Sequence, residues 1–232
     1  MILSIHQAEF LPWNGFFYKV YSSDALVIFD LAQYNKQDYQ NRNKFDCFGK
    51  DKILTVPIKS HDSKTLMRDI KIHNVVNWGI SIKNKLGAYY APYEHYLIAE
   101  YLIESIWKTN WDRLVDLNVY LLKRLLEYLK IDTKIILSSE LITDEMLLRK
   151  FNLMNTSDKN MFLCQLAKAD VYISGEYGRT YLDIKKYSEN NVKVKFINNK
   201  MASKTSYSIV DTVSKHGEDA KEIIQDFGEL YE

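Results

Sequence analysis

His6 and Gln7 follow a short apolar run over residues 2–5, and Asp30 closes a second apolar run over residues 25–29. An imidazole and a carboxylate at the ends of two buried strands would sit rigidly at the rim of a sheet, beside a crevice that a ligand can enter. A neutral imidazole in that place has the chemistry of a general base, because the unperturbed pKa of histidine is about 6.5. Gln7 adds a carboxamide for a ligand amide or hydroxyl. Asp30 would orient His6 or hold a sugar hydroxyl or an amine, and Gln33 and Tyr34 lie just beyond it, Tyr34 with an aromatic ring that can lie under a sugar face. The structural alternatives are a histidine bonded to a turn carbonyl and an aspartate capping a turn or helix.

Two further clusters have functional chemistry. In Asn41-Arg42-Asn43, a strand would turn 41 and 43 to one side and Arg42 to the other. The guanidinium is a planar fork suited to phosphate or carboxylate; the alternative is a polar surface turn. Ser174-Gly175, with Gly178 and Arg179 following, reads as a strand end and glycine turn leading into a helix, whose backbone N–H groups favour an anion. The turn lacks the lysine and spacing of a Walker loop. It is not a nucleophile elbow either, since Tyr172 stands where the first glycine would be. Ser208 and Asp211 read as a helix N-cap and a first-turn carboxylate. Zinc-ligand spacing, a glycosidase carboxylate pair and a dinucleotide fingerprint are all missing.

The elements that must position these groups follow from periodicity. Strands are expected over 2–5, 25–29, 42–47, 53–56, 69–72, 135–138, 171–174 and 193–197, with a hairpin turn at 48–51. Helices are expected over 13–21, 78–86, 91–107, 111–129, 144–151, 158–167, 181–189, 209–215 and 219–227. The strongest, 111–129, carries a wide leucine stripe. Strands alternating with helices through short loops predict an α/β fold: a mostly parallel central sheet flanked by helices, with a helical middle segment. The expected organisation is one domain over 1–232, the helical insertion falling at about 78–130.

Composition bounds the function. The 232 residues are 47% hydrophobic and 26% charged with a formal net charge of +1, the balance of an ordinary globular protein without a nucleic-acid footprint. The 17 tyrosines suit polar, ring-shaped ligands as well as half-buried packing. Cys47 and Cys164 are too few for a disulfide framework and read as inert thiols. No apolar run reaches the roughly 18 residues of a membrane span, and residues 2–5 are too short for a signal-peptide core. A cytoplasmic location without membrane insertion is expected.

Taken together, Ile5-His6-Gln7, Phe10-Leu11-Pro12-Trp13, Gly15-Phe16-Phe17, Ser23-Asp24, Asp30, Gln33-Tyr34, Asn41-Arg42-Asn43 and Val56-Pro57 resemble the WbqC-like family of polysaccharide gene clusters. Trp78, Tyr89-Tyr90, Ser138-Ser139, Tyr172-Ile173-Ser174-Gly175, Tyr181-Leu182 and Ser208-Ile209-Val210-Asp211 extend the resemblance over most of the chain. Two departures stand out. Ala8 replaces a usual proline, and Asn198 to Ser206 replaces a Tyr-Pro-x-Gln-like stretch. The resemblance implies a place in bacterial surface-polysaccharide (O-antigen) biosynthesis and transfer of glycine or another amino acid onto a sugar amine.

On that basis the expected activity is that of an N-acyltransferase, chiefly an aminoacyltransferase. It would act on a nucleotide-linked amino sugar, with a thioester or ester donor such as a phosphopantetheine-borne acyl group on an acyl or peptidyl carrier protein. His6 would take the amine proton and Asp30 would orient it. Arg42 would bind a pyrophosphate or phosphopantetheine phosphate. Gln7, Asn41 and Asn43 would hold hydroxyls or the oxyanion, a term of about 3 kcal/mol per good donor. Tyr34, Ser174 and Gly175 would line the substrate site. No metal and no resident cofactor are expected, since an activated acyl group and an amine need proton transfer and positioning. The alternatives are a nucleotidyl- or glycosyl-transferring enzyme, and a non-catalytic sugar- or carrier-binding partner.

Overall fold

A computed structural model describes residues 1–75, 77–200 and 206–232. The chain runs β1 (Ile2–His6), α1 (Asn14–Tyr21), β2 (Ala25–Ile28), β3 (Arg42–Cys47), β4 (Lys50–Thr55), α2 (Trp78–Tyr90), α3 (Tyr96–Ile103), α4 (Ser105–Lys108) and α5 (Leu114–Tyr128). It continues with β5 (Lys134–Leu137), α6 (Ser138–Leu141), α7 (Glu145–Leu153), α8 (Thr156–Leu166), β6 (Val171–Gly175), α9 (Ile184–Glu189), β7 (Lys193–Asn198), α10 (Ile209–His216), α11 (Ala220–Gln225) and β8 (Glu229–Tyr231). The fold is α/β, with a six-stranded sheet ordered β5-β2-β1-β6-β7-β8. Every neighbouring pair is parallel except β7 with β8.

The strands are nearly continuous apolar runs because both faces of the sheet are covered. Alternate residues feed two cores. Leu3, Ile5, Ala25, Val27, Tyr172 and Phe196 pack on one face with α7–α9, while Leu26, Ile28, Ile173 and Ile197 pack on the other with α1, α5, α10 and α11. In chain order within this sheet, the strands stand third, second, first, fourth, fifth, sixth. The connection out of β1 leads to β2 on one side, and the chain later returns to β6 on the other. The order reverses between β1 and β6, and a crevice opens there at the carboxyl ends of parallel strands.

The antiparallel hairpin β3–β4 stands apart from the sheet. Its turn is tighter than the expected four residues: Phe48 and Gly49 alone connect the strands, both at positive φ (53° and 80°), the twist a two-residue hairpin turn requires. The second strand therefore starts at Lys50 rather than Ile53. Residues 69–72 are not a strand. Met67–Asp69 is a 3-10 turn, and Lys71 and Ile72 make only isolated bridges, to Arg113 and Ile58. Their apolar members Met67, Ile70 and Ile72 are buried from a loop. The expected helix over 91–107 is two short helices, α3 and α4, and the one over 181–189 starts at Ile184 behind a 3-10 turn. Ser138 begins α6 rather than ending β5. The edge strand β8, three residues long, has too little periodicity to be read in advance. The α2–α5 segment occupies the expected helical stretch, and its α5 stripe is buried in the larger core. No helix of the described residues is long and apolar enough to cross a membrane.

Candidate functional site

The crevice at the reversal point measures about 710 Å³. Its floor and walls come from the end of β1 (His6, Gln7), the following loop (Glu9), α1 (Gly15, Phe16, Lys19), and the end of β6 with its 3-10 turn (Ser174, Gly175, Gly178). A second lobe of about 830 Å³ adjoins it and shares Gln7, Phe29, Asp38 and Thr156. Two glycines are required by close approach. A Cβ on Gly15 would lie 2.4 Å from the Trp13 ring, and one on Gly178 would lie 2.0 Å from Ser174 Oγ. Gly175 instead faces open space, as a residue bordering a ligand would.

His6 stands at the carboxyl end of the central strand, its side chain one-third exposed (32%) to the crevice. Its Nδ1 lies 3.1 Å from the Gln7 carbonyl oxygen, and a carbonyl can only accept, so Nδ1 carries the proton and Nε2 keeps its lone pair. The ring meets Phe16 edge-on at 5.0 Å between centroids. Burial at the crevice floor, assisted by the nearby Lys19 ammonium, pushes the imidazole pKa down to about 3. His6 is neutral throughout the physiological range.

Two groups that the sequence reading passed over share this floor. Glu9 approaches His6 Nδ1 to 3.7 Å through Oε1, while its Oε2 is buried without a hydrogen-bond partner among the described residues. Burial raises its pKa to about 8, against the opposing pull of Lys19. Lys19 is buried, donates to the Ile5 carbonyl at 2.7 Å, and is pushed down to about 8 by the same desolvation. The available signal was a lone cation within the largely aromatic run Phe16-Phe17-Tyr18-Lys19-Val20, apolar all round the helix and therefore buried, since lysine is almost never buried without a reason. Glu9 gave no signal beyond its place three residues after His6. Perturbed acids and bases gathered in a crevice mark a functional site.

Of the expected ligand contacts, the structure gathers His6, Gln7, Ser174 and Gly175 in the first lobe and Tyr34 in the second. Gln7 lines both, its Oε1 accepting from Gln40 Nε2, which leaves its own NH₂ for a ligand. Ser174 Oγ donates to the Gly175 carbonyl at 3.2 Å.

Asp30 does not orient His6. Its carboxylate, 1% exposed, accepts from Ser138 Oγ (2.7 Å), Ser139 N (2.9 Å) and Ser139 Oγ (2.6 Å), so it closes the N-terminus of α6 and ties β2 to it. The Asn41-Arg42-Asn43 cluster is not on the crevice wall either. Asn43 on β3 and Asn41, the residue just before the strand, are both buried while Arg42 between them is half-buried, as alternation predicts. Asn43 Nδ2 donates to the carbonyls of Phe10 (3.1 Å) and Leu11 (2.8 Å), and Leu11 sits at positive φ. Asn41 Nδ2 donates to the Val56 carbonyl at 2.9 Å, and Arg42 holds the Gln37 carbonyl at 2.9 Å. These side chains brace irregular backbone around the crevice, where carbonyls lack ladder partners. Asn118 does the same from α5, donating to Ala8 (3.3 Å) and Gln40 (2.8 Å) carbonyls. The alanine at position 8 is buried beside that bond.

Ser208 caps α10 as expected, accepting from Val210 N, and Asp211 pairs with Lys215 at 2.8 Å. Ser208 also bridges Trp13, which fixes the start of α10 against the aromatic wall of the site. Of the divergent stretch 198–206, residues 201–205 lie outside the described residues; Asn199 borders the crevice. Among the described residues, no three His, Cys, Asp or Glu side chains are grouped to hold a metal ion.

A family model described as the WbqC-like protein family matches residues 7–223. "Uncharacterized protein Rv1507c" of Mycobacterium tuberculosis is 27% identical over 195 residues, spanning 83% of this chain and 80% of that protein. No solved structure matches.

Proposed function

The chain belongs to the WbqC-like protein family, and from that premise we propose that it is an N-acyltransferase of surface-polysaccharide biosynthesis. It transfers an aminoacyl group such as glycyl from a thioester or ester donor to the amine of a nucleotide-linked amino sugar. The observation that carries the reading is a neutral imidazole, with its lone pair on Nε2, at the point where the strand order of a doubly wound sheet reverses. Nucleotide ligands bind such sheets at that point.

In the proposed reaction the sugar amine attacks the donor carbonyl and a C–N bond forms. His6 Nε2 takes the amine proton, the C–S or C–O bond breaks, and the same proton returns to the leaving thiolate or alkoxide. The Gln7 NH₂ group is placed to donate to the oxyanion. Burial leaves Nε2 a weak base; Glu9 lies beside Nδ1 and, once ionised, stabilises the imidazolium and so raises the basicity that the proton transfer needs. Lys19 offsets that charge across the floor. Asp30, Asn41, Arg42 and Asn43 hold the frame.

The test is mass spectrometry of a nucleoside-diphosphate amino sugar incubated with the protein and an aminoacyl thioester. The expected product gains the mass of the aminoacyl group. His6→Ala is expected to lower turnover about a hundredfold or more while nucleotide-sugar binding, measured by calorimetry, persists. Unchanged turnover in that variant would refute the role of His6. Dependence on a nucleoside triphosphate and a divalent metal would instead favour nucleotidyl transfer.

A further inference from the structure

We infer that the second lobe is a phosphate subsite, taking the phosphate or diphosphate of a ligand whose reacting group lies at His6. The inference rests on the transferase reading above and adds where the ligand's charge is held.

Lys36, Lys64 and Lys159 line this lobe, with Asp38 the lone carboxylate among its lining residues. The formal net charge of the chain is only +1, so three cations around one concavity are a local excess. Many other lysines have carboxylates within 4 Å, Lys44, Lys83, Lys186 and Lys215 among them. These three are not in such pairs among the described residues. Lys159 lies in the first turns of α8, and Thr156, the first residue of that helix, borders both lobes. The helix N-terminus adds positive potential, although its Asp158 N–H is already taken by the capping Asn155 side chain at 2.9 Å.

Tyr34, on the wall of the same lobe, also points to a ligand. The residue is 6% exposed, and its hydroxyl is buried with no hydrogen-bond partner among the described residues. A buried O–H without an acceptor is costly unless a ligand supplies one. Burial raises the phenol pKa, which keeps it a donor. His61 packs edge-on against it at 4.9 Å and bonds its own Nδ1 to the Asp62 carbonyl at 3.0 Å, which makes Nδ1 the N–H and Nε2 the acceptor. The three ammonium groups and the phenol O–H are all donors, the complement of phosphate oxygens. The phosphate can come from the nucleotide sugar or from the donor's phosphopantetheine; either is tethered to a group that reaches His6 across Gln7.

Calorimetric titration with inorganic pyrophosphate, UDP and 4′-phosphopantetheine tests this on the whole chain. Wild type is expected to bind pyrophosphate, and the affinity should fall about tenfold in the K64A/K159A double variant and severalfold in Tyr34→Phe. It should also weaken as salt is raised. Lys185→Ala, at an exposed lysine that does not line the lobe, should bind as wild type. Whichever of UDP and phosphopantetheine competes with pyrophosphate and shares its sensitivity to the lysines is the source. Thermal melts verify folding, and the lysine variants remove only half-buried or exposed side chains. Equal pyrophosphate affinity in wild type and the double variant, or no binding by wild type, overturns the subsite. That failure leaves the His6 turnover test intact. Lysine-dependent pyrophosphate binding alongside unchanged His6→Ala turnover overturns the catalytic reading instead.

Discussion

Asp30→Ala is expected to unfold about 8–15 °C below the wild type, whereas Asp30→Asn should melt within a few degrees of it and keep ligand binding and turnover. The alanine variant strands three donors, Ser138 Oγ, Ser139 N and Ser139 Oγ, in a buried junction. Leu31 N depends on the same Ser138 hydroxyl at 3.1 Å, so the loss spreads to the start of the following loop. Hydrogen bonds to a charged acceptor contribute about 1.5–3 kcal/mol each, and orphaned buried donors cost about 1–3 kcal/mol. Shared among neighbours, the total is roughly 3–5 kcal/mol, and each kcal/mol moves the midpoint about 2–4 °C in a domain of this size. Asparagine keeps an acceptor for Ser138 Oγ and Ser139 N, and the Ser139 hydroxyl can turn to accept from its amide. Calorimetry and turnover on both variants check the assignment. A well-folded Asp30→Asn protein without activity would show that the carboxylate handles a proton.

Glu9→Gln is expected to stabilise the chain by about 2–3 kcal/mol at pH 7, an advantage that shrinks towards pH 4. The sign follows from linkage. The folded-state pKa of Glu9, about 8, lies above the ordinary value of 4.5, so the native state binds a proton that the unfolded chain releases. Stability from this group is fully present below pH 4.5 and is lost as pH rises to about 8. Glutamine does not ionise and escapes that loss, less the cost of its own buried amide. Lys19 runs the other way. Its pKa is lowered from 10.5 to about 8, so its penalty is present below pH 8 and is relieved as pH climbs towards 10.5. The two titrate as a coupled pair, and Lys19→Met should raise the Glu9 pKa further. Denaturant unfolding of wild type and Glu9→Gln at pH 5, 7 and 9 reads the effect; a pH-independent difference would refute it. In the transferase assay, kcat/KM should rise with pH towards about 8 as Glu9 ionises beside His6, and Glu9→Gln should flatten that rise.

Stability and function diverge at this floor. The Glu9 carboxyl and the Lys19 ammonium, both desolvated on this floor beside a histidine kept neutral, cost folding free energy that an apolar floor would not. The stabilising Glu9→Gln substitution is therefore the one expected to impair the chemistry.

Much of the frame was legible in the sequence. The apolar runs of β1, β2 and β6 announced strands buried on both faces, the leucine stripe announced α5, and the strand–helix alternation announced a parallel sheet. The placement of His6, Gln7, Ser174 and Gly175 at strand ends was legible as well, because a strand's end follows from where its apolar pattern stops. These are local properties, set by residues within a few positions of one another.

What each polar side chain is bonded to was decided only by tertiary structure. Asp30 meets Ser138 across 108 positions, Asn43 meets Leu11 across 32, and Asn118 meets Ala8 across 110. A carboxylate or carboxamide looks the same in sequence whether it braces a loop or faces a ligand. Its role depends on which unpaired carbonyls and hydroxyls the folded chain brings within about 3 Å, and on whether water can still reach it. The same holds for Glu9 and Lys19, two ordinary surface-type residues until folding removed their water and moved their proton affinities together.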